Sequence, residues 1–180
     1  KRLTMTPVEF RRHLHRHPEL SFRETESARF IAEALREAGI PCRPIAGTGV
    51  LAKIEGRGDL RRAVVLRADI DALPIREQSG AAWSSENDGV MHACGHDIHA
   101  AVLYGTLLRL SAERNFEGTL FGIFQPGEES NPGGASKVLA ENPFEGYTVL
   151  AVVGEHVDGR IGLRAHERHD RRGRELGGYV

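Results

Sequence analysis

From Thr25 to Gly39 the apolar positions Ala28, Ile31, Leu35 and Ala38 recur at helical spacing, while Glu26, Glu33, Arg36 and Glu37 take the other side. The pattern predicts an amphipathic helix that Gly39 closes in the left-handed region. Upstream, Thr6-Pro7-Val8-Glu9 has the form of a helix start. Thr6 serves as N-cap, Pro7 occupies the first helical position and Glu9 completes a capping box. This helix is predicted to run to about His17, because Pro18 disfavours helical backbone in the residue before it. After Asp97, the set Ile98, Ala101, Val102, Gly105 and Leu108 has helical spacing, and Leu103, Leu107 and Leu110 widen its apolar face, as in a helix packed on a sheet. A short helix over about 135–141 follows the glycine pair Gly133-Gly134.

Strand patterns fall between these helices. Val50–Ile54 and Ala63–Arg67 are predicted as an antiparallel pair joined by a turn at Glu55-Gly56-Arg57-Gly58-Asp59. Thr119–Gln125 is an apolar strand candidate, and Val149–Val153 is a continuous apolar run of the kind that is buried on both faces. Residues 75–90 carry turn formers and a single aromatic side chain, Trp83, so they predict a surface loop. From His166 to Arg174 eight of nine residues are His or charged, which predicts a frayed polar tail over 166–180 behind one domain over 1–165.

Each buried-type strand then hands polar groups to a loop. The second strand runs into Asp69-Ile70-Asp71, the third into Pro126-Gly127-Glu128-Glu129, and the last into Glu155-His156. Ends of strands in open α/β sheets are where sites form. A fourth contributor is Met91-His92-Ala93-Cys94-Gly95-His96-Asp97-Ile98-His99, with three imidazoles, a thiol and a carboxylate in nine residues. Cys94 and His96 are two apart, so extended backbone would send both side chains to one side, and Gly95 between them permits a close bend. Thiolate and neutral imidazole are the donors of zinc sites, and with carboxylates they also accept manganese, cobalt or nickel. Of the adjacent pair Glu128 and Glu129, one can hold a metal while the other faces a bound water as general base.

Composition narrows the function classes. The 180 residues are 40% hydrophobic and 27% charged, which is ordinary for one soluble domain. The 24 Lys and Arg against 25 Asp and Glu leave a formal charge of −1, giving no sign of a nucleic-acid or anionic-membrane partner. Cys42 and Cys94 are too few for a disulfide framework, no signal-peptide core is apparent and the longest apolar runs are far short of a membrane span; a reducing cytoplasm is expected. A lone cysteine is most often a small buried hydrophobe. Set beside His96 in a glycine-punctuated loop, Cys94 reads as a ligand. His13, His15 and His17 are expected on a solvated helix face, His92 and His99 in supporting roles, and His156 taken alone is balanced between ligation and a plain hydrogen bond.

Four stretches together carry a resemblance: His13-Leu14-His15-Arg16-His17-Pro18-Glu19-Leu20-Ser21-Phe22, Leu66-Arg67-Ala68-Asp69-Ile70-Asp71-Ala72-Leu73-Pro74, Met91 to Asp97, and Phe124-Gln125-Pro126-Gly127-Glu128-Glu129. In this order and spacing the chain resembles, over about residues 9–164, the amidohydrolase branch of the aminoacylase and carboxypeptidase zinc metallopeptidases, which includes hippurate hydrolase and indole-acetyl-amino-acid hydrolases. The resemblance implies a three-layer α/β/α sandwich with a mixed, largely parallel sheet. It implies two divalent ions, zinc or manganese first and cobalt or nickel next, held by Cys94, His96, Glu129 and His156, with Glu128 as general base and Asp71 or Asp97 orienting the imidazoles. The implied reaction is hydrolysis of the amide in an N-acyl amino acid or small peptide. Relatives of this kind are about twice as long, by resemblance, with a lid and dimerisation domain after the His156 region and a last metal-binding histidine before a Ser-Pro pair. No such pair follows His156, and Glu155 stands where small or aliphatic residues are usual. The chain therefore reads as the N-terminal part of such a catalytic domain, without the lid and dimerisation domain. Two other readings stand beside it: a non-catalytic relative that keeps the fold and metal, and a thiol hydrolase using Cys94 with a nearby histidine.

Overall fold

All seven residues of the strand Thr119–Gln125 are buried, which requires a neighbour on each edge and a layer on each face. The computed structural model, which describes residues 4–157 with Arg168–His169 and Glu175–Leu176, gives it both. The elements in chain order are α1 (Pro7–Arg16), α2 (Thr25–Glu37), β1 (Cys42–Ile45), β2 (Gly49–Glu55), β3 (Arg62–Asp69), α3 (His96–Glu113), β4 (Thr119–Gln125), α4 (Gly134–Ala140), β5 (Thr148–Gly154), β6 (Arg168–His169) and β7 (Glu175–Leu176). The main sheet has the order β1-β2-β4-β3-β5. β1 and β2 are antiparallel, as are β2 and β4, whereas β3 runs parallel to both β4 and β5. The sheet is therefore mixed, with two of its four pairings parallel rather than most of them. β6 and β7 pair with each other inside the stretch expected to be a frayed tail, most of which lies outside the described residues.

Alternation along the strands divides the core between two faces. Val50, Ala52 and Ile54 of β2, with Leu120 and Phe124 of β4, meet Phe10 and Leu14 of α1, Ile31 and Leu35 of α2, and Ala100, Tyr104 and Leu107 of α3. Phe10 stacks on Tyr104 with ring centroids 4.2 Å apart at the centre of this layer. Leu51, Val65, Phe121 and Ile123 face the other way, onto Val138 of α4 and the half-buried Phe144 and Tyr147. The predicted capping box is present, Thr6 accepting from the Glu9 amide at 3.2 Å while the Glu9 carboxylate accepts from the Thr6 amide at 2.9 Å. Gly39 takes φ +73° just past α2, as its cap role requires.

Four expectations need correction. β2 and β3 do not form a hairpin: β4 lies between them, and the Gly56–Arg57 backbone bonds to Phe116 and Gly118, which lead into β4. Glycines at a strand end suit a crossover as well as a turn, and the most apolar strand takes the centre. β5 is not buried on both faces but forms the sheet edge, with Val152 66% exposed. Its apolar run has one neighbouring strand, and among the described residues only Val149 packs on the second core. α3 is apolar nearly all round, so spacing did not fix its inner face: Ala100, Leu103, Tyr104 and Leu107 are buried while Val102 is exposed. His15 is buried rather than solvated, with Nδ1 2.9 Å from Asp97 and Nε2 3.2 Å from Glu77. β1 was not anticipated, Pro44 in its middle having masked it.

Candidate metal centre

Because β3, β4 and β5 are mutually parallel, their C-terminal ends lie along one edge, and Asp69–Asp71, Pro126–Glu129 and Glu155–His156 all leave the sheet there. The Met91–Gly95 segment reaches the same edge after Leu73 and Met91 exchange backbone hydrogen bonds at 3.0 Å. Cys94 and His96 are not in extended backbone. Gly95 adopts φ +81°, a conformation that strains residues with side chains, and starts α3 there, its carbonyl accepting from the Ile98 and His99 amides.

His96, the first residue of α3 and 1% exposed, anchors the site. Its Nδ1–H faces the Asp71 carbonyl at 2.9 Å and Asp71 Oδ1 at 3.2 Å, leaving the lone pair on Nε2. That nitrogen is buried and has no hydrogen-bond partner. Around it lie Asp69 Oδ1 at 3.7 Å, Glu129 Oε1 at 3.8 Å and Glu128 Oε2 at 3.9 Å. Cys94 Sγ is 3.7 Å from His156 Nε2. Donor atoms of Cys94, His96 and His156 lie within 4.8 Å of one another, as do those of His96, Glu128 and Glu129. The structure thus brings together all five residues singled out from the sequence, in two groups that share His96. A buried imidazole nitrogen with no partner, facing sulphur, nitrogen and carboxylate donors, fits a first-row divalent ion.

The electrostatics point the same way. Burial would raise the Asp71 carboxyl, but His96, the Glu129 amide, Ser21 and the Glu128 amide together hold it down at about 2. Burial pushes the Cys94 thiol up to about 11, and Glu129, Glu128 and Asp69 push the same way, so acidic surroundings hold the proton on sulphur until a cation offsets them. Burial also lowers His92 to about 4, which keeps this buried ring neutral. Asp97 does not orient a candidate ligand: it pairs with Arg11 and His15.

Supporting residues that carried no assignment from sequence come from the segment before α2. Ser21 Oγ donates to Asp71 Oδ2 at 2.7 Å, beside the Glu129 amide at 2.9 Å. Glu24, fully buried, accepts from the Gly127 amide at 2.7 Å and from Thr48 Oγ1. The Phe22 ring fills the space over Gly127, where an added Cβ would come within 2.4 Å of it. Glu19 accepts from the Ser27 amide at 2.7 Å, supplying the start of α2 with the cap that Glu24 does not give. The stretch Glu19–Glu24 therefore cradles the Pro126–Glu129 loop. Its partners lie up to 103 residues away in sequence, and no local signal announced them.

The family model for peptidase family M20/M25/M40 matches residues 65–167. An N-acetyl-L-cysteine deacetylase of Bacillus subtilis (strain 168) is 43% identical over 164 residues, covering 87% of this chain and 38% of that protein. An N-acyl-L-amino acid amidohydrolase of Geobacillus stearothermophilus is 41% identical over 163 residues, covering 87% of this chain and 43% of its own length. Among solved structures, the Bacillus subtilis YXEP protein, described as a dinuclear metal binding peptidase from the M20 family, superposes with a TM-score of 0.79 at 44% identity, over 84% of this chain and 42% of that one. The chain spans about two fifths of the length of these relatives.

Proposed function

The chain belongs to peptidase family M20/M25/M40, and on that premise we propose that its shared sheet edge is part of a two-ion centre hydrolysing the amide bond of N-acyl amino acids or small peptides. The observation that carries this reading is the buried, partnerless His96 Nε2, on which both donor groups converge. Cys94, His96, Glu129 and His156 would hold the ions, zinc or manganese being best matched by this donor set and cobalt or nickel next. When bound, such ions polarise a carbonyl and make water acidic enough to attack it near neutral pH. The chain's own residues supply the rest. Asp71 fixes the His96 ring so that Nε2 faces inward, and Ser21 together with the Glu129 amide fixes Asp71. Glu128, with its side chain 41% exposed at the mouth of the site, takes the proton from the attacking water and delivers it to the leaving nitrogen. With Cys42 and Cys94 both free, we place the protein in a reducing cytoplasm. No helix among the described residues is long and apolar enough to cross a membrane.

A second reading, metal binding without turnover by this polypeptide, is favoured by one observation: Leu150, Val152 and Val153 of β5, the strand that leads to His156, are uncovered among the described residues. A thiol hydrolase is disfavoured, because the acidic surroundings of Cys94 oppose formation of the thiolate. The test combines metal analysis with release of amino acid from N-acetyl and N-benzoyl substrates. Glu128→Gln is expected to keep the metal and lower turnover by about 10²–10⁴-fold, whereas Cys94→Ala is expected to lower the metal stoichiometry. Equal metal loss in the two variants refutes the division of roles.

A further inference from the structure

His99 stands in the middle of the centre yet has no nitrogen left for an ion. Its Nδ1–H donates to Asp69 Oδ1 at 2.6 Å, and its Nε2 accepts from the Val157 amide at 2.9 Å. The grouping of Asp69, His96 and His99 has the spacing of a metal site, but the Val157 N–H occupies the only lone pair the His99 ring offers. Asp69 is committed as well: Arg67 donates to its Oδ2 at 2.7 Å, and Arg67 is itself tied to Gln125 Oε1 at 2.9 Å. A single chain of hydrogen bonds thus runs from the end of β4, through β3 and the first turn of α3, to the backbone just past His156.

We propose that His99 is the positioning residue that seats His156 against Cys94 and His96, acting through the Val157 amide. The inference rests on the metal-centre reading and extends it to a residue outside both donor groups. His96 and His99 are three apart on α3, so they share a helix face, with ring centroids 5.4 Å apart. The His99 and His156 rings are 5.1 Å apart. His156 lies in an exposed segment after an edge strand, so the sheet alone gives it little support. Val157 also packs over Gly95, its Cβ 3.6 Å from where a side chain on Gly95 would begin. The hydrogen bond from the Val157 amide to His99 therefore ties this segment to the same helix turn that carries His96. Asp69 sets the direction of the chain: by accepting from Nδ1–H it leaves the Nε2 lone pair for Val157.

Cobalt(II) titration of the chain, followed through the thiolate-to-cobalt absorption of Cys94, tests the role, together with hydrogen exchange of the Val157 amide in metal-free protein. His99→Ala is expected to weaken cobalt binding by about 10–100-fold and to speed Val157 exchange by roughly 5-fold, the factor one hydrogen bond provides. His99→Gln, which returns an acceptor near the Nε2 position, should restore most of both. Asp69→Asn keeps the imidazole but presents an amide N–H₂ that can turn the ring to the other tautomer. It should reproduce the His99→Ala loss, with the ¹⁵N shifts of His99 reporting the change. Unchanged cobalt affinity and unchanged Val157 exchange in both His99→Ala and Asp69→Asn overturn the positioning role while leaving the metal centre standing. Absence of cobalt binding by the unsubstituted chain overturns the metal centre, and the seating role with it.

Discussion

His96 and His156 both bring a ring nitrogen within 4.8 Å of the Cys94 sulphur, yet the fold holds them in opposite ways. His96 is buried at the start of an 18-residue helix, and Asp71, which orients it, is itself fixed by Ser21 and the Glu129 amide. His156 is exposed, follows an edge strand, and has its segment tied to His99 by the hydrogen bond that the Val157 amide donates. One half of the site is built into the core and the other half is laid on it. Preorganisation is therefore uneven, and stability and metal binding should separate along that division.

The largest expected effect lies on the buried side. Asp71→Ala removes the partner of a buried imidazole and leaves the Ser21 hydroxyl and the Glu129 amide without their acceptor, so urea unfolding should show a loss of about 3–5 kcal/mol. His156→Ala in the same experiment should stay within about 0.5 kcal/mol, as for other exposed positions, while metal binding falls. A comparable stability loss in both variants would erase the contrast. Next in size is the pH dependence of Asp71. Its carboxyl is held at about 2 against an ordinary 3.8, a depressed value. The associated stability is complete above pH 4 and disappears as pH falls through about 2, amounting to about 2 kcal/mol. The stability difference between the unsubstituted protein and Asp71→Asn should shrink over that interval. A difference that is constant from pH 5 to pH 2 would mean that the carboxylate is not held as the geometry requires.

The same division separates what the sequence disclosed from what it concealed. The β4 limits, the helix caps and the delivery of carboxylates at strand ends were legible, because each depends on a few neighbouring residues: an apolar run that stops at Pro126-Gly127, or a Thr6–Glu9 box. The place of β3 beside β4 was not, because Gly56 and Gly58 suit a turn whichever way the next strand pairs. His15, Glu24 and His99 are explained by partners 24 to 103 residues away, and nothing beside them in the chain distinguishes a buried acceptor from a solvated one. β5 misled for a different reason. Five apolar residues in a row show that a strand tolerates burial on both faces, but burial also needs something to lie against it.

That strand gives the smallest expected effect. Val152 is 66% exposed whereas Phe121, two strands away in the sheet, is 3% exposed between β2, β3 and the α4 face. Val152→Thr keeps the β-branched shape that suits a strand and removes apolar area that water already reaches, so the unfolding free energy should change by less than about 0.5 kcal/mol. Phe121→Ala removes a packed ring and should cost about 3–5 kcal/mol. A loss above about 1 kcal/mol for Val152→Thr would place it outside the range of solvent-exposed sites, and would show that β5 is covered in solution. Repeating the unfolding at protein concentrations tenfold apart identifies the cover: a loss that grows with concentration comes from contact between copies of the chain, and a loss that does not comes from the same chain folding back over its own edge.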